Sequence, residues 1–292
     1  MPGTLYLVAT PIGNLEDITL RALRVLREAD WIAAEDTRRT AQLLAHYQIS
    51  TPLVRYDEHS HARQAPRLLR ALDQGQTVAL VSDAGTPLLH DPGYALVRAA
   101  LDAGHTVVPI PGPSAVLTAL VASGLPAVPF AFAGYPPRKA AKRRRWLQDW
   151  DAWPHTLVLL EAPHRLLATL DDMAALWPDR ALAVGRELTK RYEEFWRGTV
   201  AQAAAHFREH PPRGEFTLVL GPKAPAEPDA RWPEAALEQA IARGLAQGEA
   251  PSALARQLAR ASGWPRREVY QRIQQAQGRA SDQEAAHAPN PD

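Results

Sequence analysis

The sequence predicts an α/β protein: two α/β domains in succession, followed by a small all-helical module. Three observations lead there. Apolar, β-favouring runs alternate with helix-period stretches from Thr4 to about Ser123, and strand-like runs resume after a proline-rich break. Gly221–Asp229 has the composition of a linker, and the chain beyond it reads only as helix. A length of 292 residues exceeds one comfortable hydrophobic core, so two domains and an appendage are expected.

In chain order, strands are expected near Leu5–Ala9, Trp31–Ala34, Thr77–Ser82 and Thr106–Ile110. Helices are expected between them, near Thr19–Ala29, Arg38–Tyr47, Ala62–Asp73 and Gly93–Ala103. Gln74-Gly75 and Gly104 are helix stops ahead of strands. This pattern gives a first domain over 1–123 with a mostly parallel sheet. Gly124–Pro129 reads as a hinge. A second α/β domain over 124–221 follows, with strands near Phe130–Ala133, Thr156–Leu160, Ala181–Val184, Glu194–Arg197 and Phe216–Leu220. Pro233–Ala246, Ala250–Ala261 and Pro265–Gln275 read as three helices of a module over 230–278. The break at Ser262-Gly263-Trp264-Pro265 resembles the turn of a helix-turn-helix, displaying Arg266, Arg267, Tyr270, Gln271 and Arg272; a bundle that only packs or dimerises fits as well. The tail 279–292 has too little apolar content to pack and is expected to be disordered.

Three turns at expected strand ends stand out: Ala9-Thr10-Pro11-Ile12-Gly13-Asn14, Ser82-Asp83-Ala84-Gly85-Thr86-Pro87 and Pro111-Gly112-Pro113-Ser114-Ala115. Open α/β sheets bind ligands where their strands end. Glycine admits close approach of main chain to a ligand, and proline fixes the path. Any one such turn is an ordinary strand–helix connection; three in one domain suggest a ligand cradle built largely from backbone. There is no Gly-x-Gly-x-x-Gly, no phosphate-binding loop ending in Gly-Lys-Ser/Thr, and no Gly-x-Ser-x-Gly around Ser82 or Ser114.

Composition narrows the function further. The chain has no cysteine, which excludes disulfides, thiolate metal sites and a cysteine nucleophile, and suits a reducing cytosol. The opening Met1–Thr4 leads straight into a strand, so no secretory signal is expected, and no apolar run suits a membrane span. Net charge is +1, so nucleic-acid binding needs a local patch. Arg138-Lys139-Ala140-Ala141-Lys142-Arg143-Arg144-Arg145-Trp146 supplies one, against the plainer reading of a solvated helix start. Asp57-Glu58-His59-Ser60-His61 has metal-ligand residue types but no evident further ligand, and no metal is expected. Asp36 and Thr37 are good helix caps.

The ordered set of words resembles a known family. It runs from Gly3 to Leu15 through Ala34-Glu35-Asp36-Thr37-Arg38, the Ser82 and Pro111 turns, Glu161-Ala162-Pro163-His164-Arg165-Leu166 and Arg186-Glu187-Leu188-Thr189-Lys190. These match the ribosomal RNA small subunit methyltransferases I, within the tetrapyrrole methylase superfamily, over roughly three-quarters of the chain. Leu160, and Tyr135-Pro136-Pro137, depart modestly from the family pattern. The resemblance implies two αβα domains with S-adenosylmethionine (SAM) held in the cleft between them. It places SAM contacts at Pro11, Ser82, Asp83, Thr86, Ser114 and Ala115, and at the backbone near Glu161 and Glu187. Taken as a plain Asx-turn residue, Asp83 would only steady its own loop. The implied substrate is a cytidine ribose 2′-hydroxyl in the decoding region of 16S rRNA. Arg138, Lys139, Arg143, Arg144, Arg145 and Arg165 are taken as RNA contacts, in a cytoplasmic homodimer that meets the small ribosomal subunit. For the hydroxyl proton, Lys190 could act as base or orienter, its pKa lowered by Arg186 and Arg191; Glu187 is the competing base, and a surface ion-pair network is the plainer account. A tetrapyrrole methyltransferase and a SAM-sensing DNA-binding regulator are the other readings.

Overall fold

A computed structural model describes residues 2–89, 93–223 and 231–286, the side chains of 279–286 excepted. The chain forms two compact units, residues 1–223 and 224–292.

The first unit begins with β1 (Thr4–Val8), α1 (Leu20–Glu28), β2 (Trp31–Ala34), α2 (Thr37–His46), β3 (Leu53–Arg55), α3 (His61–Asp73), β4 (Thr77–Val81), α4 (Gly93–Asp102) and β5 (Thr106–Ile110). Its sheet has the order β3-β2-β4-β1-β5 and is parallel throughout. Parallel strands are covered on both faces, and here each strand alternates its side chains between two helical layers. Val8, Ile32, Ala34, Ala79 and Val81 pack beneath α1 and α2, through Leu23, Leu26, Leu43 and Leu44. Leu5, Ala33, Val78 and Leu80 face α3 and α4, through Leu68, Leu72, Leu96 and Ala100. Strand β3 has no counterpart in the sequence expectations, because three residues are too few to leave a β-favouring run.

The chain then passes through α5 (Ala115–Ala122) to β6 (Phe130–Gly134), α6 (Ala140–Asp149), β7 (Thr156–Glu161), α7 (Pro163–Ala174), β8 (Ala181–Arg186), β9 (Glu194–Thr199), α8 (Val200–Glu209) and β10 (Phe216–Leu220). This second sheet has the order β6-β7-β10-β8-β9; only β6 and β7 are parallel. One face (Leu157, Leu159, Leu182, Val184, Leu218) packs on α6, α7 and α8. From the other face, Val158, Ala183 and Val219 meet Val116, Ala119 and Leu120 of α5, with Ile12 and Leu188 beside them. Helix α5 follows the last strand of the first sheet yet packs against the second. It is the apolar joint between the two sheets, and it starts at the third of the glycine- and proline-rich turns.

The second unit is a three-helix module: α9 (Glu234–Ala246), α10 (Pro251–Ser262) and α11 (Arg266–Ala286). Leu237, Ile241, Leu254, Leu258, Trp264, Val269 and Ile273 form its core. Helix α10 stops at Gly263, whose φ of +67° is the left-handed conformation glycine adopts freely. Helix α11 continues past the expected end at Gln275 to Ala286, so 279–286, expected to be a disordered tail, are helical backbone. The remainder of that tail, 287–292, lies outside the described residues, as do 224–230 of the expected linker.

Candidate functional site: a cleft closed by both sheets

The three turns behave as one piece. Thr10 and Gly85 exchange both backbone hydrogen bonds, at 3.0 and 2.9 Å. The Thr10 hydroxyl donates to the Ser82 carbonyl and the Ser82 hydroxyl to the Gly85 carbonyl, each at 3.0 Å. Thr86 donates to the Pro113 carbonyl at 3.4 Å, joining the second turn to the third. Gly112 closes the circuit, since a Cβ there would stand 2.9 Å from the Ala9 Cβ. Gly85 takes φ +81°, which a β-carbon would strain. Of the two hydroxyls singled out as ligand contacts, that of Ser82 thus closes its own turn and that of Thr86 ties the second turn to the third. A ligand there meets a preformed main-chain wall.

That wall bounds a cavity of about 500 Å³, within the usual range for small-molecule sites. From the first sheet it is lined by the Ser82–Thr86 turn, Glu35, Arg39 and the start of α5 at Ser114, Ala115 and Val116. From the second come Tyr135, Glu161, the N-terminus of α7 and Glu215. Ser114 caps α5 by accepting from Leu117 N at 3.5 Å, leaving the first-turn amides of Ala115 and Val116, which have no intrahelical acceptor, on the cavity border. Ser82, Asp83, Thr86, Ser114, Ala115 and Glu161 therefore all lie on this surface. Pro11 lies instead in an adjoining recess of about 200 Å³ that shares Arg39, Ser82 and Asp83 with the main cavity.

Asp83 does more than close its own turn. Its carboxylate accepts from Asp36 N at 2.8 Å and stands 3.7 Å from the Arg39 guanidinium. Asp36 caps α2 through Arg38 N and pairs with the Arg38 side chain at 2.8 Å, which holds its pKa down at about 2. Across the cleft Glu161 is buried at 2% exposure. It accepts from Thr169 and from Ala162 N and faces Arg165 Nε at 3.3 Å. Arg165 also donates to the Pro136 carbonyl, pinning the segment that carries Tyr135. Burial raises the Tyr135 pKa, and the Glu215 and Glu161 carboxylates raise it further. Arg165 is thereby committed inside the cleft wall, which corrects its reading as an RNA contact.

The cluster after β8 also departs from expectation. Neither Lys190 nor Glu187 lines the cavity; Leu188 between them does. Lys190 donates to Glu187 at 2.9 Å and to Glu215 at 3.1 Å. Burial alone would lower the Lys190 pKa, but these two carboxylates outweigh it and hold the ammonium above its ordinary value. Burial likewise pulls Glu187 upward, and the Lys190 and Glu215 hydrogen bonds bring it net below the usual carboxylate range. The fold thus does not lower the Lys190 pKa; its two carboxylate partners favour the charged form. Its stem lies on the first turn, since a Cβ on Gly13 would come 2.3 Å from Lys190 Cγ. Glu187 and Thr189 both adopt positive φ, +49° and +66°, a costly backbone for non-glycine residues; Glu187 is held by its bonds with Lys190 and Glu215, and the Thr189 amide donates to Glu193. Glu215 is one of the cavity residues that sequence reasoning missed, with Arg39 another; its position just before a strand was the available clue.

The basic run divides in two. Arg143 is buried against Asp172 at 2.8 Å and donates to the Ala168 carbonyl, so it fastens α6 to α7 and is unavailable to phosphate. Arg138, Lys139, Lys142, Arg144 and Arg145 are exposed, Arg144 within 3.5 Å of the same Asp172. Among the described residues no group of histidines and carboxylates has the arrangement of a metal site, and no helix is long and apolar enough to cross a membrane.

The sequence pattern of the Tetrapyrrole (Corrin/Porphyrin) Methylases matches residues 4–204. The chain is 48% identical to the ribosomal RNA small subunit methyltransferase I of Halalkalibacterium halodurans, over 92% of this chain and 93% of that one. It is 47% identical to that of a Synechocystis strain, over 92% and 96%, and 42% identical to that of Bacillus subtilis, over 92% and 93%. Among solved structures, uroporphyrin-III C-methyltransferase from Thermus thermophilus superposes with TM-score 0.52 at 26% identity, over 75% of this chain and 94% of that one. A structure of the Thermus enzyme complexed with S-adenosyl homocysteine superposes at TM-score 0.52 and 22% identity, over 75% and 97%. The chain belongs to the tetrapyrrole methylase family, and within it to the ribosomal RNA small subunit methyltransferases I.

Proposed function

We propose that this protein methylates the ribose 2′-oxygen of a cytidine in the decoding region of 16S rRNA. It is a SAM-dependent methyltransferase. The observation that carries the finer reading is identity of 40–48% to ribosomal RNA small subunit methyltransferases I over more than nine-tenths of the chain. The cleft is compatible with it. The amides of Ala115 and Val116, the Ser82–Thr86 turn and the Asp83 carboxylate offer a polar, preformed wall for an adenosyl group, with Pro11 in the side recess and Glu161 supporting the far wall. SAM supplies an electrophilic methyl group. The ribose oxygen bonds to that carbon as the carbon–sulfur bond breaks, S-adenosylhomocysteine leaves, and the hydroxyl proton passes to a base or to water. Positioning is the protein's main contribution to such an in-line displacement. In this reading Lys190 orients, through Glu215 and Leu188, and does not abstract the proton.

Exposed Arg138, Lys139, Arg144 and Arg145 suit phosphate contact. The working form in this proposal is a cytoplasmic homodimer acting on the small ribosomal subunit; the exposed apolar side chains of Leu117 and Val121, one turn apart on α5, and of Val128 favour a second copy. The test is tritium transfer from labelled SAM to small subunits, naked 16S rRNA and duplex DNA in parallel, with the product mapped to the nucleotide. Label on a cytidine 2′-O-methyl group is the expected result; label on a base, or on none of the three, refutes the reading. Sedimentation velocity checks the dimer.

A further inference from the structure

We infer that the exposed face of α10 and the first turns of α11 form a second RNA-binding surface, one that grips the sugar-phosphate backbone; this rests on the RNA-methylating reading above. Arg256 and Arg260 lie one helical turn apart on α10, both exposed. They border an open groove with Gln257, and its remaining lining is Ala253 and Ala261. Small side chains there let a strand approach the helix closely. Across the Gly263 turn, Arg266 and Arg267 open α11, again exposed, and Tyr270 and Gln271 follow on its next turn. The four arginines hold no ion pair among the described residues.

Two other arginines of the module are used differently. Arg231 pairs with Glu268, and Arg272 with Glu234 and Glu238. Both guanidiniums lie over the Trp264 ring, at 3.5 and 4.6 Å from its centroid, where they stabilise the turn between α10 and α11. The acids Glu234 and Glu238 stand on α9, and Glu268 is engaged by Arg231. Helix α10 carries no acidic residue, and Glu249 precedes it. Among the described residues charge is therefore divided: Arg231 and Arg272 are neutralised around Trp264, while Arg256, Arg260, Arg266 and Arg267 hold no ion pair, the first two beside Ala253 and Ala261. Planar guanidiniums match phosphate oxygens in pairs, and a partly exposed tyrosine beside them suits stacking on a base or ribose. That combination favours RNA over an acidic protein.

The test uses the full chain with Arg256, Arg260, Arg266 and Arg267 all changed to Ala, and separately the milder Arg256→Gln/Arg260→Gln pair. Affinity for a fluorescent 16S rRNA fragment is read by anisotropy at several salt concentrations. Single-strand phosphate contacts contribute about 0.7 each to the slope of log K against log salt, so four contacts predict a slope shallower by up to about 3 and binding weakened tenfold or more at low salt. The Gln pair should give about half the slope change. Calorimetric SAM affinity stays unchanged, and replacing the four by Lys restores most of the slope. An unaltered slope in both variants overturns the inference, as does loss of binding to small subunits with naked RNA binding intact, which would assign the face to a ribosomal protein. Absence of methyl transfer by the unmodified protein would count against the proposed function and leaves this binding measurement readable.

Discussion

Replacing Gly13 by Ala tests whether the Lys190 turn is a strut between the two sheets. Gly13 has no positive φ, so alanine costs nothing through the backbone; the obstacle is the side chain lying on it. A Cβ there would stand 2.3 Å from Lys190 Cγ, 3.0 Å from Cε and 3.1 Å from Thr189 Oγ1. The Cγ atom lies near the root of the lysine, so the whole side chain must swing away, leaving Glu187 and Glu215. The Lys190–Glu187 pair is largely buried, at 27% and 18% side-chain exposure, and a charge-assisted bond of that kind contributes about 1.5–3 kcal/mol. Glu215 is 74% exposed, so its share is solvent-screened to under about 1 kcal/mol. Gly13→Ala should therefore destabilise by about 2–3 kcal/mol, lowering Tm by about 5–10 °C for a chain of this size. Lys190→Ala should cost a similar amount. In the Lys190→Ala background the glycine substitution should add less than about 0.5 kcal/mol, a coupling of about 2 kcal/mol in a double-mutant cycle read by calorimetry. Additive costs would show that Lys190 does not rest on Gly13, and the strut argument would fall.

The opposed shifts of Lys190 and Glu187 give a pH signature. The raised Lys190 pKa contributes stability that is full below the unfolded lysine value and is lost as pH rises through the folded one; the lowered Glu187 pKa contributes stability present above the unfolded carboxylate value and lost as pH falls through the folded one. Lys190→Met should thus lose stability evenly across neutral pH, and single-turnover transfer should show no Lys190-dependent limb between about pH 6 and 9, a limb that a lysine base would require. Asp83→Ala should weaken SAM binding in calorimetry, while Asp83→Asn, which retains an acceptor for Asp36 N, should recover part of it; equal affinity in all three proteins removes Asp83 from the site. Arg165→Met should leave the buried Glu161 carboxylate unpaired and cost about 3–5 kcal/mol without changing the salt dependence of RNA binding; a changed salt slope in a folded protein would return Arg165 to the RNA surface. Arg143→Ala should likewise lower Tm, whereas Arg145→Ala should leave Tm in place and raise KM for the RNA, and the reverse pattern would invert the division of the basic run.

What was legible in the sequence was whatever depends on neighbours along the chain. Long β-favouring runs such as Val78–Val81 became central strands, and the proline and glycine turns became the cleft wall, because a turn's geometry is set by its own few residues. Helix α5 left no amphipathic trace: Ala115–Ala122 is apolar on every side, burying Val116, Ala119 and Leu120 against the second sheet while exposing Leu117 and Val121. The charged residues failed for a different reason. Lys190 is held by Glu187, three positions away, and also by Glu215, 25 away, and the availability of Arg143 is decided by Asp172, 29 away, so a local window misses the two distant partners. Arg165 lies only four positions from its partner Glu161, yet the pairing was not evident, because one ends a strand and the other sits in the helix that follows it. A charge written in sequence is a donor or acceptor whose partner only the fold selects. In this chain that selection joins Lys190, expected as base or orienter, to Glu187 and Glu215 and lays its stem on the first of the three turns.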